Sequence, residues 1–147
     1  MVRKYSYPEV AVGAIIVNRK GEIFLAKSYK FQGFYIIPGG HVELGETVAD
    51  ATLRECLEET GLKVRFGHVI DVQEAINPEG FHEKGRHFIF IDVMCRASSS
   101  KAKLDGRELH EYCWMKPEKA LKARLTTYTR RAIKDFAEGK RGRWYNA

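Results

Sequence analysis

One run of 23 residues, from Gly40 to Leu62, constrains this chain more than any other: it reads GHVELGETVADATLRECLEETGL. On a helix, Glu55, Glu58 and Glu59 are related by i,i+3 and i,i+4 spacing, so their carboxylates share one face. Like charges at these spacings repel by a few tenths of a kcal/mol per pair. Hard divalent cations such as Mg²⁺ bind through carboxylate oxygens. The run therefore predicts a helix with one face against a sheet and an adjacent face that binds metal.

The rest of this run follows the usual pattern of a helix. Thr47 is placed to cap the N-terminus with Asp50 three residues on, and Gly61 suits the left-handed position after the C-terminus. The predicted apolar stripe consists of Ala49, Leu53, Cys56 and Leu57. The alternative is a solvated amphipathic helix with an acidic outer face. The absence of lysine from the helix disfavours it, because solvated faces usually intersperse Lys with Glu.

These residues resemble the signature of the Nudix hydrolases, a family with MutT-like and ADP-ribose pyrophosphatase-like members. The signature is Gly, five residues, Glu, seven residues, Arg-Glu, a bulky apolar residue, any residue, Glu-Glu, any residue, Gly and an apolar residue. It is matched by Gly40, Glu46, Arg54, Glu55, Glu58, Glu59, Gly61 and Leu62. Cys56 departs from the family's Ile, Leu or Val, but cysteine packs as a small hydrophobe.

The resemblance implies roles for the matched residues. Arg54 would orient a glutamate and is counted, with Glu58, among the catalytic residues, while Glu46 would be a secondary metal contact. Mg²⁺ is the expected cofactor, with Mn²⁺ as an alternative. The expected metal ligands are Gly40, through its carbonyl, and Glu55, Glu58 and Glu59.

The pattern along the chain predicts an α/β fold. Strands are expected over residues 10–17, 22–28, 34–37, 64 to the low seventies, 87–97 and 108–115. Helices are expected over residues 47–60, in a short segment opened by Pro117, and over residues 126–138. Elements in this order favour an α/β sandwich with a mixed sheet. The resemblance likewise implies the Nudix-type α/β/α sandwich with a mixed central β-sheet.

Composition indicates one domain over residues 1–147, with residues 139–147 as a basic tail that is predicted to be flexible. A chain of 147 residues with 44% hydrophobic content can bury a core without disulfides. Its three cysteines are far apart and form no C-x-x-C motif, which fits a reducing cytoplasmic setting. The apolar run over residues 10–17 is too short to span a bilayer, and no cleavage site follows it, so neither a membrane span nor a signal peptide is expected.

Phosphoanhydride hydrolysis is the reaction that this chemistry favours. A carboxylate-held Mg²⁺ next to a glycine-rich turn suits adjacent phosphates, because the metal neutralises oxyanion charge and can activate water. The resemblance implies a substrate in which a nucleoside diphosphate is linked to another group. The preferred general base is Glu108, which follows a loop. The alternatives are Glu79, Glu83 and Glu111.

Substrate identity depends on weaker signals. Pro78 lies 16 positions after Leu62, which is similar to the mark of ADP-ribose pyrophosphatases and favours ADP-ribose or another nucleotide sugar. A plain turn explains the same proline. (Deoxy)nucleoside triphosphates are the alternative substrates.

Side chains near the glycine turn and in the loop over residues 77–85 are candidate substrate contacts. Phe31 and Tyr35 are candidates for stacking on a base, whereas Phe34 is expected in the core. Arg86 is predicted to grip a phosphate from a basic cluster, with a solvated loop as the alternative. The other members of that cluster are His82, Lys84 and His87.

A net charge of +6 and the segment over residues 140–145 suggest a hypothesis of another class. Three basic residues and two aromatics there would suit an RNA-binding or decapping-like module. The segment is short and no RNA-binding fold signature accompanies it, so nucleic acid is not the expected partner. A fold that only binds ligand is disfavoured by the intact glutamates. The expected partners are a small-molecule nucleotide and a second copy of the chain in a homodimer.

Overall fold

The computed structural model describes residues 7–81 and 85–146 and has one mixed sheet with helices on both faces. The strands are β1 (Glu9–Val17), β2 (Ile23–Ser28), β3 (Tyr35–Ile36), β4 (Gly39–His41), β5 (Val64–Ile76), β6 (His87–Ala97), β7 (Leu109–Met115) and β8 (Arg143–Tyr145). The helices are α1 (Val48–Thr60), α2 (Pro117–Ala120) and α3 (Thr127–Ala137). The predicted α/β class is therefore confirmed.

The sheet runs in the order β3, β2, β1, β6, β5, β8, and β4 and β7 pair with β1 and β2 off this path. Strands β1 and β6 are parallel over nine register pairs, and β8 is parallel to β5. The remaining pairs are antiparallel. The long β1–β6 pairing places two central strands side by side beneath the cleft described below.

Successive residues of β1 face opposite sides of the sheet and enter two separate cores. Ala14 and Ile16 pack in a cluster with Cys56 of α1, whereas Ile15 and Val17 pack in a cluster with Ile133 of α3. This alternation follows from the twofold period of a strand. It places α1 and α3 on opposite faces and gives the three-layer arrangement.

Helix α1 begins and ends as predicted, but its buried face differs from the prediction. The Thr47 hydroxyl accepts a hydrogen bond from the Asp50 N–H at 3.0 Å, and Gly61 has a left-handed backbone with φ of 69°. Leu53 and Leu57, predicted as core, are 36% and 48% exposed. The buried positions are Ala51, Thr52, Cys56, Glu59 and Thr60. Because most of these side chains are small, the helix lies close to the sheet.

The sequence pattern did not predict two short strands, β4 and β8. In β4, Gly39 pairs with Gly13 of β1, and a Cβ at Gly39 would overlap the Val12 carbonyl. Glycines carry no strand propensity, so this strand depends on close backbone approach. The tail that was predicted to be flexible also differs from the prediction, because residues 143–145 form β8 and pair with β5.

In the described part of the chain, no helix has the length and apolar character needed to cross a bilayer.

We expect Thr47→Ala to lower the free energy of unfolding by about 1 kcal/mol, because the Asp50 N–H would lose its capping acceptor. Urea unfolding followed by circular dichroism measures this change. Thr47→Ser keeps the hydroxyl and should stay close to wild type. Equal loss in both variants would show that the hydroxyl is not responsible.

Candidate functional site

A cleft of about 1010 Å³ lies beside the end of α1 and over the middle of the sheet. Its walls come from β1, β4, β6, α1, the segment before β7 and the start of α3. Two of the predicted metal ligands on α1, Glu55 and Glu59, line it. The acidic face of α1 and the glycine strand β4 therefore border one cavity.

Glu59 is the most buried of the predicted metal ligands, at 4% exposure. Its Oε1 accepts a hydrogen bond from the Gly39 N–H at 3.3 Å. Burial, first, and the adjacent Glu55 carboxyl, second, raise the pKa of Glu59 to about 9. Two carboxyls this close and this sheltered are the arrangement that a bound cation would relieve.

Gly40 leaves room for the Glu55 side chain. A Cβ at residue 40 would overlap the Glu55 carboxylate, so any larger residue would push this side chain away. The glycine turn thus does more than reverse the chain, because it lets a carboxylate lie directly against the backbone of β4.

Arg54 is the centre of the charge network behind the cleft. Its guanidinium donates two hydrogen bonds to Glu46, at 2.7 and 2.8 Å, and a third to Glu55 at 2.9 Å. It also donates to the His41 carbonyl at 3.0 Å and lies 3.3 Å from Glu58. The Arg54 guanidinium therefore contacts three glutamates of the signature, Glu46, Glu55 and Glu58. Its contact with Glu55 is a hydrogen bond to Oε1.

Glu46 and Glu58 are not turned into the cleft. Both Glu46 oxygens are engaged by Arg54, which lowers the Glu46 pKa to about 2. This carboxylate is therefore the partner of Arg54, and its secondary metal contact stays a prediction. The Glu58 side chain is 59% exposed. Within residues 7–81 and 85–146, no three His, Cys, Asp or Glu side chains converge as a preformed metal cluster.

The candidate base Glu108 lines the cleft, and a tethered loop brings it there. The Asp105 N–H donates to the Glu59 carbonyl at 3.1 Å, and the Lys103 N–H donates to the Thr60 carbonyl at 2.8 Å. Burial, followed by the charge of Glu55, raises the pKa of Glu108. The loop before β7 is therefore fastened to the end of α1.

Asp105 organises this loop and is a residue that our sequence analysis missed. Its Oδ1 accepts hydrogen bonds from the N–H groups of Arg107, Glu108 and Leu109, at 3.2 to 3.3 Å. The available signal was an Asp-Gly pair just before a strand, which is typical of a turn closed by the aspartate side chain.

The predicted substrate residue Phe31 lines the cleft, where it begins a row of aromatic rings. Neighbouring ring centroids in this row are 4.7 to 5.8 Å apart. The row consists, in order, of Phe31, Phe81, Phe88, Phe90 and Tyr128, and all five line the cleft. The cleft therefore offers aromatic surface as well as carboxylates.

Phe34 and Tyr35 lie opposite to their predicted positions, with Phe34 at the cleft and Tyr35 against the core. Phe34, predicted in the core, lines the cleft with Arg124 4.3 Å from its ring. Tyr35, predicted to contact substrate, packs instead against the core on the α3 side, where it interacts with Cys113. Residues that follow each other in extended chain face opposite sides, so moving Phe34 to the cleft turns Tyr35 away.

Arg86 lines the cleft, but its guanidinium is already paired. It donates to both oxygens of the buried Glu9, at 2.5 and 2.6 Å, and lies 4.8 Å from the Phe88 ring. Arg86 in turn lowers the pKa of Glu9. The phosphate contact of Arg86 stays a prediction. Of the other residues predicted in this loop, His82, Glu83 and Lys84 lie outside the described residues.

Comparison with known proteins places these features in a wider context. Residues 7–136 match the family model described as NUDIX domain. A relative from Methanocaldococcus jannaschii, named ADP-ribose pyrophosphatase, is 48% identical over 62 residues, or 41% of this chain and 36% of the relative. A relative from Salmonella heidelberg, named NAD-capped RNA hydrolase NudC, is 29% identical over 76% of this chain and 41% of the relative. The matches thus span less than half the length of these curated relatives.

Solved structures with the same fold cover nearly the whole chain. The MutT protein from Methanosarcina mazei Go1 superposes with a TM-score of 0.75 at 27% identity, over 92% of this chain and 98% of that protein. The MutT NUDIX hydrolase from Burkholderia pseudomallei has a TM-score of 0.72 at 28% identity, over 88% and 98%. The three-layer fold is therefore shared along their length.

We expect Arg54→Lys to reduce kcat/KM for nucleotide hydrolysis by about 100-fold. A lysine ammonium cannot form the forked contact to Glu46 while also holding Glu55, and small displacements of reacting groups have effects of this size. Steady-state kinetics with Mg²⁺ would measure it. Arg65→Lys, at an exposed position on β5, is the matched control. Near-wild-type activity of Arg54→Lys would contradict this role.

We expect Asp105→Ala to lower kcat about tenfold or more, because three backbone N–H groups lose their acceptor and Glu108 shifts. Asp105→Asn retains the accepting oxygen and should recover most of the activity. Thermal unfolding of both variants checks that the fold survives. A fully active alanine variant would show that the loop holds Glu108 without Asp105.

Proposed function

This chain belongs to the NUDIX family, as its sequence resemblance predicted, and we propose that it hydrolyses a phosphoanhydride bond in a nucleoside diphosphate linked to a second group. The preferred substrates are ADP-ribose and other nucleotide sugars. The observation that supports this proposal is a single cleft that contains both the carboxyls of Glu55 and Glu59 and a row of aromatic rings. Carboxylates suit metal-bound phosphates, and rings suit a base.

The residues at the end of α1 fit a hard divalent cation, Mg²⁺ or Mn²⁺. Glu55 and Glu59 supply oxygen donors within the cleft, and Gly40 leaves the space that the Glu55 carboxylate fills. Glu58 would join them by rotation of its exposed side chain, and the Gly40 carbonyl stays a predicted ligand. When bound, such an ion neutralises phosphate charge and promotes ionisation of water.

Glu108 is the residue that we assign to accept the proton of the attacking water. It lies at the cleft on the loop fastened to α1, and its raised pKa makes it a stronger base than an exposed glutamate. Arg54 would hold Glu55 in place from behind. Glu58 is the second candidate for the catalytic carboxylate.

The size and walls of the cleft favour a substrate with two bulky parts. A volume of about 1010 Å³ lies at the upper end of the range for small-molecule sites, roughly 300 to 1,000 Å³. The buried Pro78, on which the ADP-ribose prediction rests, lines the cleft together with Phe31. The relative named ADP-ribose pyrophosphatase supports the same substrate class.

The second candidate is hydrolysis of (deoxy)nucleoside triphosphates. The observation in its favour is the similarity to two solved structures titled MutT, at 27% and 28% identity. Because one relative is named NAD-capped RNA hydrolase NudC, nucleotide-capped RNA is a third substrate to test. The homodimer and the cytoplasmic location stay predictions.

The test is a product analysis with Mg²⁺, Mn²⁺ or excess chelator, using ADP-ribose, other nucleotide sugars, nucleoside triphosphates and a capped RNA. We expect AMP and ribose phosphate from ADP-ribose. We also expect at least about a 100-fold loss in Glu59→Gln, since metal-site carboxylates have effects of this size. Glu58→Gln is assayed beside it, and Glu118→Gln, on an exposed turn of α2, is the matched control.

Each product pattern decides between the candidates. Release of a nucleoside monophosphate and pyrophosphate from a triphosphate would replace the preferred substrate class with the second candidate. Hydrolysis that survives chelation, or full activity in Glu59→Gln, would contradict the role assigned to the carboxylates. No turnover of any substrate would remove the proposed activity.

A further inference from the structure

Strand β6 presents a row of cleft-facing side chains that ends in a carboxyl group. Phe88, Phe90 and Asp92 occupy alternate positions on this strand, and all three line the cleft. The two rings are stacked, with centroids 5.0 Å apart and an interplanar angle of 11°. The Phe90 ring also contacts Tyr128 at 5.2 Å. Aromatic rings along β6 are therefore followed by a hydrogen-bonding group, and Phe90 is the less buried of the two rings.

The position of Asp92 is fixed by its neighbours. Gln73 donates from Nε2 to Asp92 Oδ2 at 2.8 Å and to the Tyr128 carbonyl at 3.0 Å. Gly13 is the register partner of Asp92 on β1, and a Cβ at Gly13 would overlap Asp92 Oδ1. Glycine inside a strand commonly marks such a close approach. The carboxyl therefore lies at the floor of the cleft with one oxygen bonded to Gln73 and the other beside Gly13.

Behind Asp92 lie two further buried carboxyls, Asp71 and Asp135, which are 0% and 1% exposed. Asp71 is paired with Asp92 across β5 and β6 and lies within hydrogen-bonding reach of both other acids. Among the described residues, no N–H or O–H group reaches either Asp71 oxygen. Asp135 accepts from the Tyr145 hydroxyl at 2.9 Å and is 3.8 Å from the Lys140 ammonium.

Asp71, Asp92 and Asp135 form a cluster of three buried carboxyls. Burial, first, and the neighbouring carboxyls, second, raise the pKa of Asp71 to about 10, and burial also raises the pKa of Asp92. The described residues form no preformed metal cluster at this position. Because the Gln73 amide donates to Asp92 Oδ2 at 2.8 Å, the carboxyl acts as a hydrogen-bond acceptor at the wall of the cleft. Buried acids cost stability unless they are compensated, and at a cleft they indicate function.

We propose that Asp92 determines base specificity: its carboxyl accepts a hydrogen bond from the exocyclic amino group of a base that packs against Phe90. This inference rests on the proposed function, because it assigns the nucleoside end of the same cleft. Adenine, guanine and cytosine carry such an amino group, whereas uracil has a carbonyl oxygen at the position where cytosine has its amino group. A buried acceptor without its donor is disfavoured, so the site selects amino bases over uracil.

The experiment measures binding of AMP, GMP, CMP and UMP by calorimetry, which needs no turnover. We expect wild type to bind CMP at least about tenfold more tightly than UMP. Asp92→Asn replaces an acceptor with an N–H donor while keeping the shape, and it should remove this preference. In hydrolysis of the matching nucleotide sugars it should raise KM more than it lowers kcat. Asp135→Asn is the control, since it alters the same buried cluster from α3 and should keep the preference.

Several results would overturn the inference. These are equal binding of CMP and UMP by wild type, no binding of any of the four nucleotides, or an unchanged preference in Asp92→Asn. Thermal unfolding would show whether Asp92→Asn folds. If it does not, the comparison of CMP and UMP binding by wild type still tests the inference. Selective nucleotide binding without hydrolysis would remove the proposed function and leave this inference standing. If the protein hydrolyses its substrate but Asp92→Asn still prefers CMP over UMP, the inference is wrong and the proposed function stands.

Discussion

The close contact between helix α1 and the glycine strand β4 is the interaction on which the cleft depends. The Gly39 N–H donates to Glu59, and the absence of a side chain at Gly40 leaves room for the Glu55 carboxylate against β4. The loop before β7 then attaches to the end of the same helix and brings Glu108 to the cleft. A single helix–strand contact therefore positions three acids whose mutual repulsion would otherwise separate them.

The molecule contains two different solutions to the problem of holding acids out of water. Behind the signature, Arg54 compensates Glu46 through a forked charge-assisted contact, which favours the ionised carboxylate. Within the sheet, no cation among the described residues pairs with Asp71, and burial together with the neighbouring carboxyls raises its pKa, which disfavours the ionised form. The first arrangement preserves negative charge where a cation is expected. The arrangement around Asp71 limits negative charge at the end of the cleft where the nucleobase of a substrate is expected.

Features governed by neighbours in sequence were predictable, and features governed by distant partners were not. The cap at Thr47, the end at Gly61 and the main strands follow from local patterns, as does the carboxylate face of α1. The pairing of Arg86 with Glu9 joins residues far apart in the chain, so no local pattern indicates that the guanidinium is engaged. The orientation of Tyr35 depends on a strand of two residues, too short for a period of two to be evident.

Leu53 and Leu57 show a related limit of sequence patterns. Their spacing predicts an apolar stripe, but the helix buries small and polar side chains, because Thr52 and Thr60 bond to carbonyls of their own helix. A buried threonine that satisfies its hydroxyl in this way behaves as an apolar residue of small volume. Tertiary packing therefore determined which side of α1 faces the sheet.

The parallel pairing of β1 with β6 has a consequence for how the protein folds. The signature helix lies between these strands in the sequence, so pairing Gly13 with Asp92 closes a long loop that contains the carboxylates. Closing such a loop costs chain entropy before its contacts offset that cost, and non-local pairing of this kind slows folding. We therefore expect the floor of the cleft to form late in folding, so that a change that weakens the β1–β6 pairing would alter folding rate and site geometry together.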